Sequence, residues 1–211
     1  MKTLTKTLFA TVLTGIVLTS SAMTTFAAVN GNNNEINIST SIPQTSVNGV
    51  NRIWASGNVK VVLTQNEKEG ITAGENFNAE TTFIQRKGNT LYINSIEGRQ
   101  VTINVSIKDL QRIEAAGSAT VVTSNNFDVK YLQVFLSQDA KAKLNAMSGS
   151  LYTVVSDDAT LKMSGSTDQH TLIASNMRNV RFDSFVSIKT DSRLAGPVVV
   201  KADSLSASIG K

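Results

Sequence analysis

The sequence predicts an all-β fold: a right-handed parallel β-helix, or β-solenoid, with coils of about nineteen residues and a strand-rich, less regular N-terminal half. Three observations carry this. Between Leu132 and Phe182 the chain repeats itself. Ser137, Ser156 and Ser175 fall nineteen residues apart, as do Ala142, Leu161, Val180 and Val199, and Leu144, Met163 and Phe182. After the serines come turn-forming doublets, Gln138-Asp139, Asp157-Asp158 and, more weakly, Asn176-Met177, with strand-like alternation between them. The chain also has only two prolines and many Val, Ile, Thr and Ser residues, which favours strands over helices. Parallel crossovers are overwhelmingly right-handed, and this sets the expected hand.

The first residues stand apart from this pattern. Lys2 and Lys6 precede an apolar run from Leu8 to Leu18, and small polar residues lead to Thr25-Phe26-Ala27. That order is the order of a secretory signal peptide, expected to span residues 1–27 with cleavage after Ala27 or, next best, Ala28. The run is too short for a spanning helix, and no second stretch could cross a bilayer as one. There is no cysteine, which excludes a disulfide framework and a lipid anchor on cysteine. An exported product, periplasmic or at the cell surface, is the expectation. Loss of Lys2 and Lys6 leaves eighteen basic against sixteen acidic residues, a net charge of about +2. A nucleic-acid partner therefore has little support.

Residues 28–48 are polar and asparagine-rich and read as a flexible segment. Ile36 to Ser39 within it is expected to cap an end of the solenoid or to pair with a neighbouring chain. Residues 49–211 read as the solenoid domain. Arg52-Ile53-Trp54-Ala55, the turn Ser56-Gly57-Asn58 and Val59 to Leu63 begin it. Ile71-Thr72-Ala73 is a short strand, and 82–86 meets 91–94 in a hairpin across Lys87-Gly88-Asn89-Thr90. Val101 to Ile107 alternates strictly. Leu110 to Val121 then echoes Arg52 to Val61, with a short strand, a glycine turn and another strand in each. The register is expected to slip after Phe185, with 193–197 as an irregular loop and Val198-Val199-Val200 and Leu205 to Ile209 as the last strands.

The glycine turn before Val59-Lys60-Val61, the hairpin Gly88 to Ile93, and Leu110 to Val121 around Ala116-Gly117-Ser118 resemble, in that order, the bacterial GIN-domain family. That family is also called DUF2807, the putative auto-transporter adhesin head domain. The resemblance covers roughly Asn48 to Gly210. It implies a right-handed parallel β-helix of pectin-lyase-like shape and a role in adhesion without known catalysis. Members typically carry Gly-Ser-Gly at successive turns, whereas this chain has Ser137-Gln138-Asp139 and Ser156-Asp157-Asp158 there, which leaves the turn geometry at those places open.

Residues one period apart stack about 4.8 Å apart on neighbouring strands, and alternation sorts them into inner and outer faces. Val134, Leu136, Thr153, Val155, Leu172 and Ala174 should point inward before the serine turn. After it, Ala140, Ala142, Leu144, Ala159, Leu161, Met163, Val180 and Phe182 should do the same. Two outer rows are candidate binding surfaces. Lys143, Lys162 and Arg181 stack as a basic row with Lys141 beside them. Two readings stand for it: a solvated face, or a dock for an anionic glycan or cell-surface polymer that relieves the repulsion of like charges. Phe135, Val154 and Ile173 stack as an apolar row with Tyr152 adjacent. It is either covered by another part of the chain, such as the N-terminal half, or open to a ligand or partner.

No catalytic residue, metal site or cofactor is expected. His170 is the one histidine and reads as a structural or surface residue at the coil edge near Asp168. Asp139 and Asp158 stack, but aspartate in turns is accounted for by local hydrogen bonds, and the glycine-rich repeat of calcium-binding β-rolls is absent. Trp54 reads as packing or an interface anchor. The expected function is a non-catalytic binding or adhesion module of the bacterial envelope, acting through a flat solenoid face. The alternatives are a carbohydrate-active lyase or hydrolase on a β-helix, or a structural envelope protein that self-associates through its end strands.

Overall fold

The computed structural model describes residues 45–195. The expectations for the signal segment, for Ile36 to Ser39 and for strands beyond Gly196 fall outside these residues. The described residues are all-β: twelve strands in one sheet that curls so that two arms face each other, with no α-helix. In chain order they are β1 (Arg52–Gly57), β2 (Val59–Gln65), β3 (Gly70–Ala73), β4 (Thr82–Lys87), β5 (Thr90–Ser95) and β6 (Val101–Ile107). There follow β7 (Arg112–Ala115), β8 (Thr120–Thr123), β9 (Phe127–Leu136), β10 (Lys141–Val155), β11 (Thr160–Ala174) and β12 (Val180–Leu194).

Pairing is parallel almost throughout. One arm runs β5-β1-β7-β9 and continues into the C-terminal halves of β10, β11 and β12. The other runs β6-β2-β8 and continues into their N-terminal halves. Each of the three long strands passes through both arms. Two antiparallel strands finish the far edges, β3 against β6 and β4 against β5. The nineteen-residue period is the pairing register: Ala142 lies beside Leu161, and Leu161 beside Val180. The sixty-residue echo is a register too, with Arg52, Ile53, Trp54 and Ala55 paired to Arg112, Ile113, Glu114 and Ala115.

Alternation places the apolar set between the arms. Ile103, Val61, Val121, Ala142 and Leu161 form one continuous buried row across five strands. Val134, Leu136, Thr153, Val155, Leu172 and Ala174 are buried on the opposite arm, as alternation requires. Two inward positions differ from expectation. Val180 is only half-buried and Phe182 is 43% exposed. Both lie on β12, the last strand described, so no further described strand covers them. The register also slips earlier than the sequence suggests. Ser184, with φ of 51°, is an extra residue in β12: Lys162 pairs with Arg181, but Gly165 pairs with Phe185. Arg193 and Leu194 belong to the strand, not to a loop.

Four of the turns joining one arm to the next share one geometry despite their sequences; β11 and β12 are joined instead through a 3-10 helix, Met177–Asn179. Gly57, Gly117, Gln138 and Asp157 all hold positive φ, between 56° and 71°, at the second turn position. Glycine suits this backbone, while Gln138 and Asp157 adopt it at a cost. Their side chains offset that cost. Gly117 N–H donates to Gln138 Oε1 at 2.6 Å, and Gln138 N–H donates to Asp157 Oδ2 at 2.9 Å. Each side chain thus satisfies the turn of the preceding repeat, so the geometry survives without the Gly-Ser-Gly pattern.

His170 is buried rather than at an edge. It follows Leu151 in the inward row, hydrogen-bonds Thr153 Oγ1 at 2.9 Å, and meets the rings of Phe182 and Phe185 edge-on. Burial lowers its pKa from the ordinary value.

Three outcomes follow from this packing. Leu161→Ala should cost roughly 2–5 kcal/mol in chemical denaturation, the range for emptying a core leucine site. Asp157→Ala should cost about 1–2 kcal/mol, since it removes a charged acceptor but keeps the unfavourable φ. For His170, the unfolded chain binds a proton more readily than the folded one. Stability should therefore be complete above the unfolded pKa, near 6.5, and fall as pH drops below it. Urea midpoints at pH 7.5 and 5.5 should differ for the wild type, and the difference should shrink in His170→Leu.

Candidate functional site

The outer surface of the β5-β1-β7-β9 arm carries a row of side chains set by pairing alone. Tyr92, Trp54, Glu114, Phe135, Val154, Ile173 and Arg193 lie side by side on successive strands. The chain supplies them in a different order, because β1 sits between β5 and β7 in the sheet. Trp54 and Tyr92 have ring centroids 5.8 Å apart, and Phe135 and Tyr152 also 5.8 Å. The row is partly exposed along its whole length, with Tyr92 the most open of its aromatic rings.

The apolar row read from sequence (Phe135, Val154 and Ile173, with Tyr152 adjacent) is thus one end of a longer aromatic surface. Among the described residues the N-terminal half does not cover it, unlike one of the two expectations. It supplies further strands of the same sheet, because pairing through Glu114 brings the outward positions of β1 and β5 onto the same face as those of β9. Trp54 and Tyr92 were the residues that sequence reasoning left out of the row. The signal was present: the echo aligning Arg52 to Ala55 with Arg112 to Ala115 puts Trp54 over Glu114, and Glu114 adjoins Phe135.

A shallow hollow opens where Glu114 separates the rings of Trp54 and Phe135; Val154, Ser137 and Ser156 help to line it. Two strand steps put the aromatic side chains about 10 Å apart. Arg112 flanks two of the residues that line the hollow, Phe135 and Glu114. Its guanidinium lies 4.3 Å from the centre of the Phe135 ring, and its Nε lies 2.6 Å from Glu114 Oε1, an ion pair without hydrogen-bond alignment. Glu114 is thereby drawn toward Arg112. The result is a floor of two aromatic rings with a carboxylate, a guanidinium and two hydroxyls at hand.

The basic row lies on the other arm. Lys143, Lys162 and Arg181 are adjacent in register, and Lys141 is on the same strand as Lys143; all four are exposed. Lys60 joins through Thr120, which pairs with both Lys60 and Lys141. Toward β2 the row turns apolar, with Val122 and Val62 following Lys143. Lys162 is already in an ion pair with Asp183. The basic and aromatic rows therefore face outward from different arms, and the structure does not bring them together. His170 lies between the arms and belongs to neither.

Known proteins match this arrangement at the level of family and fold. Among curated proteins none matches the chain. A crystal structure named as a putative adhesin from Parabacteroides distasonis superposes with a TM-score of 0.52 at 13% identity, covering 71% of this chain and 75% of that one. Another, named as a putative adhesin from Parabacteroides merdae, gives 0.51 at 13% identity, covering 70% and 74%. The profile of the family described as "Putative auto-transporter adhesin, head GIN domain" (DUF2807) matches residues 50–203, which span every strand of the curled sheet. The chain belongs to this family.

Proposed function

We propose that this protein is an exported, non-catalytic adhesion module of the bacterial cell envelope, which contacts a glycan or protein surface through the outer face bearing Trp54 and Phe135. The observation that carries this is the aromatic row, which no other described residue covers. Tyr92, Trp54, Phe135 and Tyr152 are held on rigid parallel backbone, with Arg112 and Glu114 between them. Trp, Tyr and Arg are the residue types that dominate binding energy at interfaces. A ring face also takes the apolar side of a sugar, whose hydroxyls would reach Glu114, Ser137 and Ser156. Because the backbone is fixed by sheet pairing, little ordering entropy opposes contact.

The same reading takes the curled sheet as a right-handed parallel β-helix, in keeping with the parallel crossovers between its arms. It takes residues 1–27 as the export signal. The names given to the family and to its structural neighbours support adhesion over an enzyme or a purely structural envelope protein.

A second reading has its own support. Lys141, Lys143, Lys162 and Arg181 would suit an anionic polymer engaged at several points. Only Lys162 among them has an ion-pair partner among the described residues. The two readings separate by experiment. Trp54→Ala with Phe135→Ala should weaken binding to an arrayed ligand by roughly thirtyfold, matching about 2 kcal/mol for a hot spot. Lys143→Glu with Lys162→Glu and Arg181→Glu should change it little. The reverse outcome, with binding that fades as salt rises, would assign contact to the basic row. Unchanged binding by both folded variants would remove both faces.

A further inference from the structure

The end of the sheet at β12 differs from the opposite end. There, β3 and β4 close the edges in antiparallel pairing. At this end, the fifteen-residue strand β12 pairs with β11 alone among the described residues. Phe182, Val186, Ile188 and Leu194 are exposed, and Phe182 stacks on Phe185 at 5.2 Å with His170 beneath them. A long, apolar, unpaired edge is a template for another strand.

We infer that this edge is a homodimer interface, in which β12 pairs antiparallel with β12 of a second copy about a two-fold axis at Val186. Charge favours this partner and register, with Asp183 and Asp191 shared between the second copy and their own-chain partners Lys162 and Arg193. Centred on Val186, Arg181 faces Asp191 and Asp183 faces Lys189, and the symmetry makes each pair twice. Centred one residue later, Arg181 would face Arg193 and Asp183 would face Asp191, both repulsive. Centred two residues later, only Asp183 and Arg193 would pair. The face parity agrees with the first register. Val180 and Phe182, which extend the inward rows of Leu161 and Met163, would face Ser192 and Thr190, which extend those of Leu172 and His170. An axis at the bend of β12 exchanges the two arms, so inner face meets inner face. The contact is isologous and closes at two copies. It would cover Phe182 and leave the Trp54 and Phe135 surfaces of both copies open. This inference does not rest on the ligand reading above.

The test is sedimentation velocity on protein purified from cells expressing the full sequence, across a range of concentrations. A dimer is expected. Val186→Lys, which sets two like charges at the axis, should raise its dissociation constant by at least roughly tenfold. Arg181→Glu should weaken it as well, and adding Asp191→Arg should restore it, since the reversed pair attracts again. Rescue by the second change is an effect that a merely destabilised fold would not give. A monomer at every concentration would overturn the inference. So would a dimer indifferent to Val186→Lys and Arg181→Glu. A monomer that dimerises only when residues 196–211 are deleted would overturn it too, and would make that segment the occupant of the edge.

Discussion

The side-chain rows of this structure depend on turns that return each strand to the register of the one before it. Four turns return the chain to its register with one backbone shape, whereas the longer β5–β6 connection and the short 3-10 helix Met177–Asn179 before β12 do so with other shapes. Gly57 and Gly117 meet that requirement by having no Cβ. A Cβ on Gly57 would lie 2.1 Å from Ser95 O. Gln138 and Asp157 meet it differently, accepting left-handed backbone and returning a hydrogen bond to the preceding turn. A net hydrogen bond worth about 1 kcal/mol, and more to a charged acceptor, is comparable to the local cost of that backbone. The turns are therefore coupled in series, and the spacing of every side-chain row follows from them.

Register then converts a one-dimensional pattern into surfaces. With alternation at period two, a one-residue change in turn length would exchange the inner and outer faces of every later strand. Within β12, Ser184 is an insertion of one residue, and it falls beside the bend between the arms. Before it, Lys162 and Arg181 are adjacent at nineteen residues; after it, Ile173 and Arg193 are adjacent at twenty. Gly165 sits opposite this bulge with φ of 106° and has Ala146 O where a Cβ would be. Neither outer row is lost: the basic row ends before the bulge, and the apolar row runs on to Arg193.

The N-terminal strands show how an irregular stretch joins a regular sheet. β1 and β2 lie between the strand pair β5 and β6 and the pair β7 and β8, although they precede both in sequence. The excursion through β3 and β4 provides the two antiparallel edges. Glu97 accepts hydrogen bonds from Thr81 and Asn78, which hold its carboxyl below the ordinary pKa and tie the loop after β5 to the start of β4. On the far side, the Gln65 side chain accepts from Asp128 N–H and donates to the carbonyls of Lys108 and Asp128. Such polar ties join segments 16 to 63 residues apart and leave no periodic trace in sequence.

By itself, the sequence determined the strand content, the nineteen-residue register from Ser137 to the bulge at Ser184, the β4–β5 hairpin, and, His170 apart, the inner and outer faces of β9, β10 and β11. These rest on local alternation and equal turn spacing, which are written directly into residue order. Only the tertiary structure decided which strands neighbour β1, because every repeat presents the same alternating edge and pairing energy hardly distinguishes them. It therefore also decided that Trp54 and Tyr92 join Phe135 in one aromatic surface, although they are forty to eighty residues away in the chain. It decided that His170 is buried, since its face depends on counting strand parity through a bend. The exposure of Phe182 was legible to neither pattern nor period. An inward position is buried only where a following strand exists to cover it.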